Sequence, residues 1–109
     1  MDMKITELFE SEYNEKTGKY VLKRVNDRSI KRITIPDIFD EIGDYAFMGC
    51  TELAGIAFPT TLTAIGDYAF AGCAKITTLN IPAATTKIGV SAFNACSGLT
   101  NVIFTAKAN

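Results

Sequence analysis

Apolar side chains return in a 23-residue cycle between Ile30 and Leu99. Ile33, Ile56, Leu79 and Val102 stand 23 apart, as do Phe47, Phe70 and Phe93, and Cys50, Cys73 and Cys96. Pro36, Pro59 and Pro82, with Gly43, Gly66 and Gly89, break the chain at the same points of each copy. A fixed period of this size marks stacked structural units, because one unit alone cannot bury its own apolar face. Three copies are complete, and a fourth begins at Leu99 and stops short.

The copy from Leu53 to Ala74 is the cleanest. Ile56 and Phe58 alternate with Gly55 and Ala57, the period of a half-buried strand, and Pro59 ends it because it has no N–H for a ladder. Leu62 and Ile65 then turn inward. Gly66 supplies backbone freedom for a turn, and Asp67 is placed to cap the first N–H groups of a short helical turn. Ala69, Phe70 and Cys73 give that turn one apolar side, and Gly72 suits its exit. Each copy therefore predicts a strand, a corner, a Gly-Asp turn, one helical turn and a return. Stacking places strands at 32–35, 55–58, 78–81 and 101–104 in one parallel sheet of an α/β, right-handed solenoid. Phe47, Phe70 and Phe93 form its spine, each contributing about 1.5–3 kcal/mol on burial.

Residues 1–29 read differently and form an N-terminal cap ahead of the repeats at 30–109, all within one domain. They hold six basic and six acidic side chains, whereas the remaining 80 residues hold five and six. Phe9–Tyr13 and Tyr20–Val25 flank the polar stretch Asn14–Lys19, which predicts a β-hairpin with Tyr13 paired to Tyr20. This hairpin is expected to lie over the first coil and cover Ile33 and Ile35. A rival reading makes Ile5, Leu8 and Phe9 the apolar side of a short helix preceding it.

The repeat residues resemble the BspA-like leucine-rich repeat family. The matching segments are Ile33-Thr34-Ile35-Pro36, Ile42-Gly43 and Ala46-Phe47-Met48-Gly49-Cys50, and their equivalents one and two repeats on. Val90-Ser91 departs from the pattern, standing where the earlier copies have Asp44-Tyr45 and Asp67-Tyr68. The resemblance covers residues 30–104. It implies a leucine-rich-repeat solenoid and a non-enzymatic protein–protein interaction module, often found in surface proteins of bacteria and protists.

Composition removes several other classes. A net charge of −1 argues against binding nucleic acid through phosphate attraction. The apolar runs are too short for membrane insertion, and the N-terminus has no apolar core of a secretory signal. The chain as it stands is thus expected in the cytoplasm, or at the cell surface or secreted if a signal was removed. With no His in the chain, a zinc site or a His general base is not expected, and the three cysteines read as small buried hydrophobes. No cofactor is expected. The densest acidic group, Asp37, Asp40, Glu41 and Asp44, reads as a solvated loop rather than a catalytic pair.

What remains for function is surface. Arg32, Thr34, Gly55, Ala57, Thr78, Asn80, Asn101 and Ile103 occupy outward strand positions and form a continuous candidate platform for a protein partner. Tyr45 and Tyr68, beside Met48, offer a second candidate. Val102, Ile103 and Phe104 leave a strand edge open at the C-terminal repeat, a candidate for homodimerisation that Lys107 could blunt. Alternatives to a binding module are a self-associating scaffold unit, trimmed or engineered, and a small intracellular bacterial or phage inhibitor or adaptor.

Overall fold

A computed structural model describes residues 5–105, with side chains from Glu7 onward; Lys107 lies outside the described residues. The chain runs α1 (Ile5–Leu8), β1 (Phe9–Asn14), β2 (Lys19–Val25), β3 (Arg32–Thr34), β4 (Phe39–Ile42), β5 (Gly55–Ala57), β6 (Ala64–Ile65), β7 (Thr78–Ile81), β8 (Lys87–Ile88) and β9 (Asn101–Phe104). The outward strands fall where the 23-residue register puts them. Arg32–Thr34 pairs parallel with Gly55–Ala57, and Thr78–Ile81 with Asn101–Phe104, each residue opposite the one 23 later.

The expected helical turn in each repeat is absent. Between Gly43 and Cys50 the backbone N–H groups alternate in their use. Those of Ala46, Met48 and Cys50 close tight turns onto the carbonyls of Gly43, Tyr45 and Phe47, while those of Tyr45, Phe47 and Gly49 cross to Asp67, Ala69 and Ala71 of the next coil. A helical turn would aim its N–H groups along its own axis rather than alternately across the gap between coils. The turns require left-handed residues, which are Tyr45, Tyr68 and Ser91 in one position and Gly49, Gly72 and Ala95 in another. Gly72 is therefore a turn residue, not a helix exit, and apart from α1 the architecture is a β-solenoid rather than α/β.

Two local roles change with it. Asp67 caps no turn of its own; its Oδ1 accepts the N–H of Val90 at 2.8 Å, as Asp44 accepts that of Asp67 at 2.7 Å. Gly66 is needed for space rather than for φ, since a Cβ there would lie 2.6 Å from the Asp44 nitrogen and 2.7 Å from the Gly43 carbonyl carbon.

The corners hold a second sheet that the hydrophobic pattern did not foretell. β1, β2, β4, β6 and β8 form five strands in that order, antiparallel between β1 and β2 and parallel thereafter. The hairpin is present, with Tyr13 paired to Tyr20 and ring centroids 5.2 Å apart; a one-turn helix precedes it, but Phe9 belongs to β1 rather than to an apolar helix side. The hairpin joins the first coil through its corner strand, and Phe9, Leu22 and Val25 share one core cluster with buried Ile35, against which Ile33 packs. β2 extends the corner sheet edgewise, setting Leu22 beside Ile42, and Phe9 packs edge-on against Phe39 at 5.5 Å. In effect β2 stands where the corner strand of a preceding coil would, which leaves β3 with β5 as its strand partner.

The interior is laddered. Phe47 and Phe70 stack at 5.0 Å and are fully buried; Phe93 stacks on Phe70 at 5.6 Å and is half-buried.

Candidate functional site

All eight outward strand residues lie on the exterior. Gly55 and Thr78 are half-buried and the other six exposed. Their side chains face out because Ile33, Ile56 and Leu79 alternate with them and face the core. The platform is divided, though, not continuous. β3 and β5 form one two-stranded sheet and β7 and β9 another, with no strand pairing between β5 and β7. At this seam lies a cavity of about 320 Å³, lined chiefly by Ile56, Phe58, Pro82 and Ala83, with Ala57 and Asn80 from the platform. The coils stay joined on their other two sides, through β6 and β8 and through the turn ladder from Tyr68, Phe70 and Gly72.

The five-stranded sheet carries a larger depression of about 1060 Å³, which the strand reading overlooked. Glu41, Ala64 and Lys87 line it in register, with Lys23 and Glu12 from the hairpin. Its signal in the sequence is faint: one position before each of Ile42, Ile65 and Ile88, half-buried at Glu41 and Ala64 and exposed at Lys87, in strands as short as two residues. The acidic group is divided: Glu41 and Asp44 both line this depression, Asp44 also accepting the Asp67 N–H, whereas Asp40 is buried and its Oδ1 has no hydrogen-bond partner among the described residues.

The tyrosines form a true stack. Tyr45 and Tyr68 lie 5.4 Å apart with ring planes 1° from parallel, both on left-handed backbone, and Tyr45 and Met48 are exposed. Left-handed φ at a residue with a Cβ costs about 1–2 kcal/mol, which the inter-coil bonds of these turns offset.

The three cysteines are buried and unpaired. The Cys73 thiol donates to the carbonyl of Phe47 at 3.2 Å and that of Cys96 to Phe70 at 3.1 Å. The neighbouring Cys50 and then burial push the Cys73 thiol well above the usual thiol range, and burial pushes Cys96 up. These groups are structural donors, not nucleophiles. Among the described residues, no group of three or more His, Cys, Asp or Glu side chains is placed to hold a metal, and no helix is long and apolar enough to cross a membrane.

Comparison with known proteins agrees with this architecture. A family model described as a BspA type leucine rich repeat region matches residues 16–109 in six copies, starting within the hairpin. A leucine-rich repeat protein of T. pallidum superposes with a TM-score of 0.84 at 23% identity, over 94% of this chain and 50% of that one. This chain thus spans half the length of that protein. A leucine-rich repeat protein of Bacteroides capillosus gives a TM-score of 0.63 at 18% identity, over 92% and 96% of the two chains. A leucine rich cell surface protein of Faecalibacterium prausnitzii gives 0.55 at 21%, over 89% and 38%. No curated protein matches the chain.

Proposed function

This chain belongs to the BspA-type leucine-rich-repeat family, and from that premise we propose that it is a non-enzymatic protein-interaction module that docks a protein partner on its outward strands. One observation carries the reading. Arg32 lies opposite Gly55, Thr34 opposite Ala57, Thr78 opposite Asn101 and Asn80 opposite Ile103, so outward side chains that are small except for Arg32 and Ile103 align across paired strands. Such a surface admits close approach by a partner's backbone and gives the partner, rather than this chain, the large anchoring side chains. Ala57→Arg and Asn80→Arg place bulky charges on either side of the seam and test it. A partner captured by the wild-type chain should be lost from both variants and retained by Tyr45→Ala.

A second reading rests on the tyrosine stack. Exposed tyrosines are common binding anchors, and here two are held parallel on a strained backbone. Loss of the partner from Tyr45→Ala but not from Ala57→Arg would favour it. A cell-surface setting is supported by the description of the F. prausnitzii neighbour; the cytoplasm is the alternative, and fractionation of the source cell decides between them.

A further inference from the structure

We propose that the seam between β5 and β7 is a docking slot for an extended, uncharged segment of a protein partner, which bonds through its amides to the strand edges and sets one apolar side chain into the cavity there. The slot rests on the reading of the outward strands as a docking surface and names the chemistry of the partner. Three observations choose this occupant.

The first is backbone chemistry. On either side of the seam the outward strands are closed by hydrogen bonds. The carbonyl of Lys31 accepts the N–H groups of Ala54 and Gly55, and that of Thr77 accepts those of Thr100 and Asn101. Ala54 is the repeat equivalent of both, yet among the described residues its carbonyl accepts no backbone N–H. Past the other end of the strand, the N–H of Ile35 reaches the Ala57 carbonyl, whereas that of Phe58, its equivalent, donates to no backbone carbonyl among the described residues. The seam therefore offers an acceptor and a donor along one extended segment, the complement of a peptide main chain. A segment seated here gains strand bonds without breaking a ladder, since β5 and β7 are unpaired.

The second observation is apolar surface at positions that are interior elsewhere. Phe58 stands where coils one and three carry Ile35 and Ile81, which are 2% and 0% exposed, but it is only half-buried, its ring edge-on to Phe70 at 5.8 Å. Ile56 is also half-buried, against 0% exposure for Leu79 one coil on. With Pro82 and Ala83 these side chains wall a cavity of about 320 Å³, which has room for a leucine- or phenylalanine-sized group. The opening is internal to the stack, because coils two and three on either side of it are complete repeats.

The third observation is charge. None of the described residues lining the cavity is ionisable, and its polar side chains are Thr60, Asn80 and Thr105. A charged group entering it would leave water with no counter-charge to receive it. The larger depression on the corner sheet, by contrast, carries charges of both signs.

An NMR titration of the isotope-labelled 109-residue chain with two peptides tests the proposal. Both are pentapeptides of serine and threonine blocked at each terminus, one with a central leucine and the other with a central glutamate. The leucine peptide should shift the amide signals of Ile56, Phe58 and Asn80 and slow exchange of the Phe58 N–H. It should bind about tenfold or more tighter than the glutamate peptide. Ala83→Phe fills the cavity from its own wall and should erase that preference, while Glu10→Lys on the hairpin should leave it unchanged. Ala57→Phe, at an exposed position, is the second filling variant where Ala83→Phe lowers the melting temperature. Absence of leucine-peptide binding at millimolar concentration overturns the proposal. So do equal binding of the two peptides, a preference that survives both filling variants, signal changes confined to β3, or binding of toluene as tight as that of the leucine peptide. The docking reading is judged separately: a captured partner lost from Ala57→Arg and Asn80→Arg supports it even where no peptide binds.

Discussion

The first two strands of this solenoid and its last described strand differ sharply in how far they are buried. At the N-terminal end the hairpin inserts Phe9, Leu22 and Val25 into the core, each at most 2% exposed, and turns a charged outer strand to solvent. The last described strand, β9, covers one side of coil three and every residue of that strand is exposed. A repeat interior is thus interchangeable, since the same residue types are buried by whatever coil follows. Capping is a separate property that needs a different sequence.

The sharpest test of this contrast pairs Leu22→Ala with Phe104→Ala. Loss of a fully buried leucine should cost about 2–5 kcal/mol in denaturant unfolding. Truncating Phe104 should cost less than about 1 kcal/mol, because little of that side chain is removed from water. Equal losses would mean that the two side chains are equally well covered.

Next in size is a comparison of glycines. An added Cβ meets backbone at 2.6 Å at Gly66 and 2.5 Å at Gly89, so by local geometry alone the two are alike. Among the described residues, coil three's turn segment is hydrogen-bonded to coil two alone, whereas that of coil two is bonded on both sides. Gly66→Ala should therefore destabilise by about 2 kcal/mol or more and Gly89→Ala by visibly less. Identical losses would show that coil three is as rigid as coil two.

At the capped end, Asp40 leaves a buried carboxylate oxygen without a partner, while its repeat equivalent Thr63 donates to the Asp40 carbonyl at 2.9 Å. Asp40→Thr should raise stability by about 1 kcal/mol by removing that unpartnered oxygen. A loss would mean that the carboxylate has a partner in solution.

The smallest effects concern the thiols. The Cys50–Cys73 contact lowers the first thiol and raises the second, so those two oppose each other; burial holds Cys96 above the ordinary 9.0, and its contribution is complete below that value. It declines as pH rises through it, because the unfolded chain releases protons first. Unfolding free energy should therefore fall modestly on the alkaline side, and Cys96→Val should reduce the slope. Cys73→Ser should cost less than a stranded buried hydroxyl would, since the Phe47 carbonyl stands ready to accept.

The 23-residue register made the outer strands legible to within a residue, since alternation of Ile33, Ile56 and Leu79 with small polar positions is a local signal. It made the cysteines legible as buried, and the hairpin through its Tyr13–Tyr20 pairing. The corner sheet was not legible, because strands as short as Ala64–Ile65 carry no periodicity and exist only by pairing with neighbours 23 residues away. Nor was the turn segment. Asp67 followed by Ala69, Phe70 and Cys73 has the composition of a helical turn, and only the nearness of the next coil redirects alternate N–H groups across the gap.

The sequence by itself determined that this chain is a stack, the length of each unit and which side chains meet in ladders, because identical spacing obliges like residues to superpose. Tertiary structure decided how each coil closes, where the outer sheet divides and which strand the hairpin extends. Those outcomes depend on backbone groups that every residue carries alike, and their partners are chosen by distance in space rather than by side-chain identity.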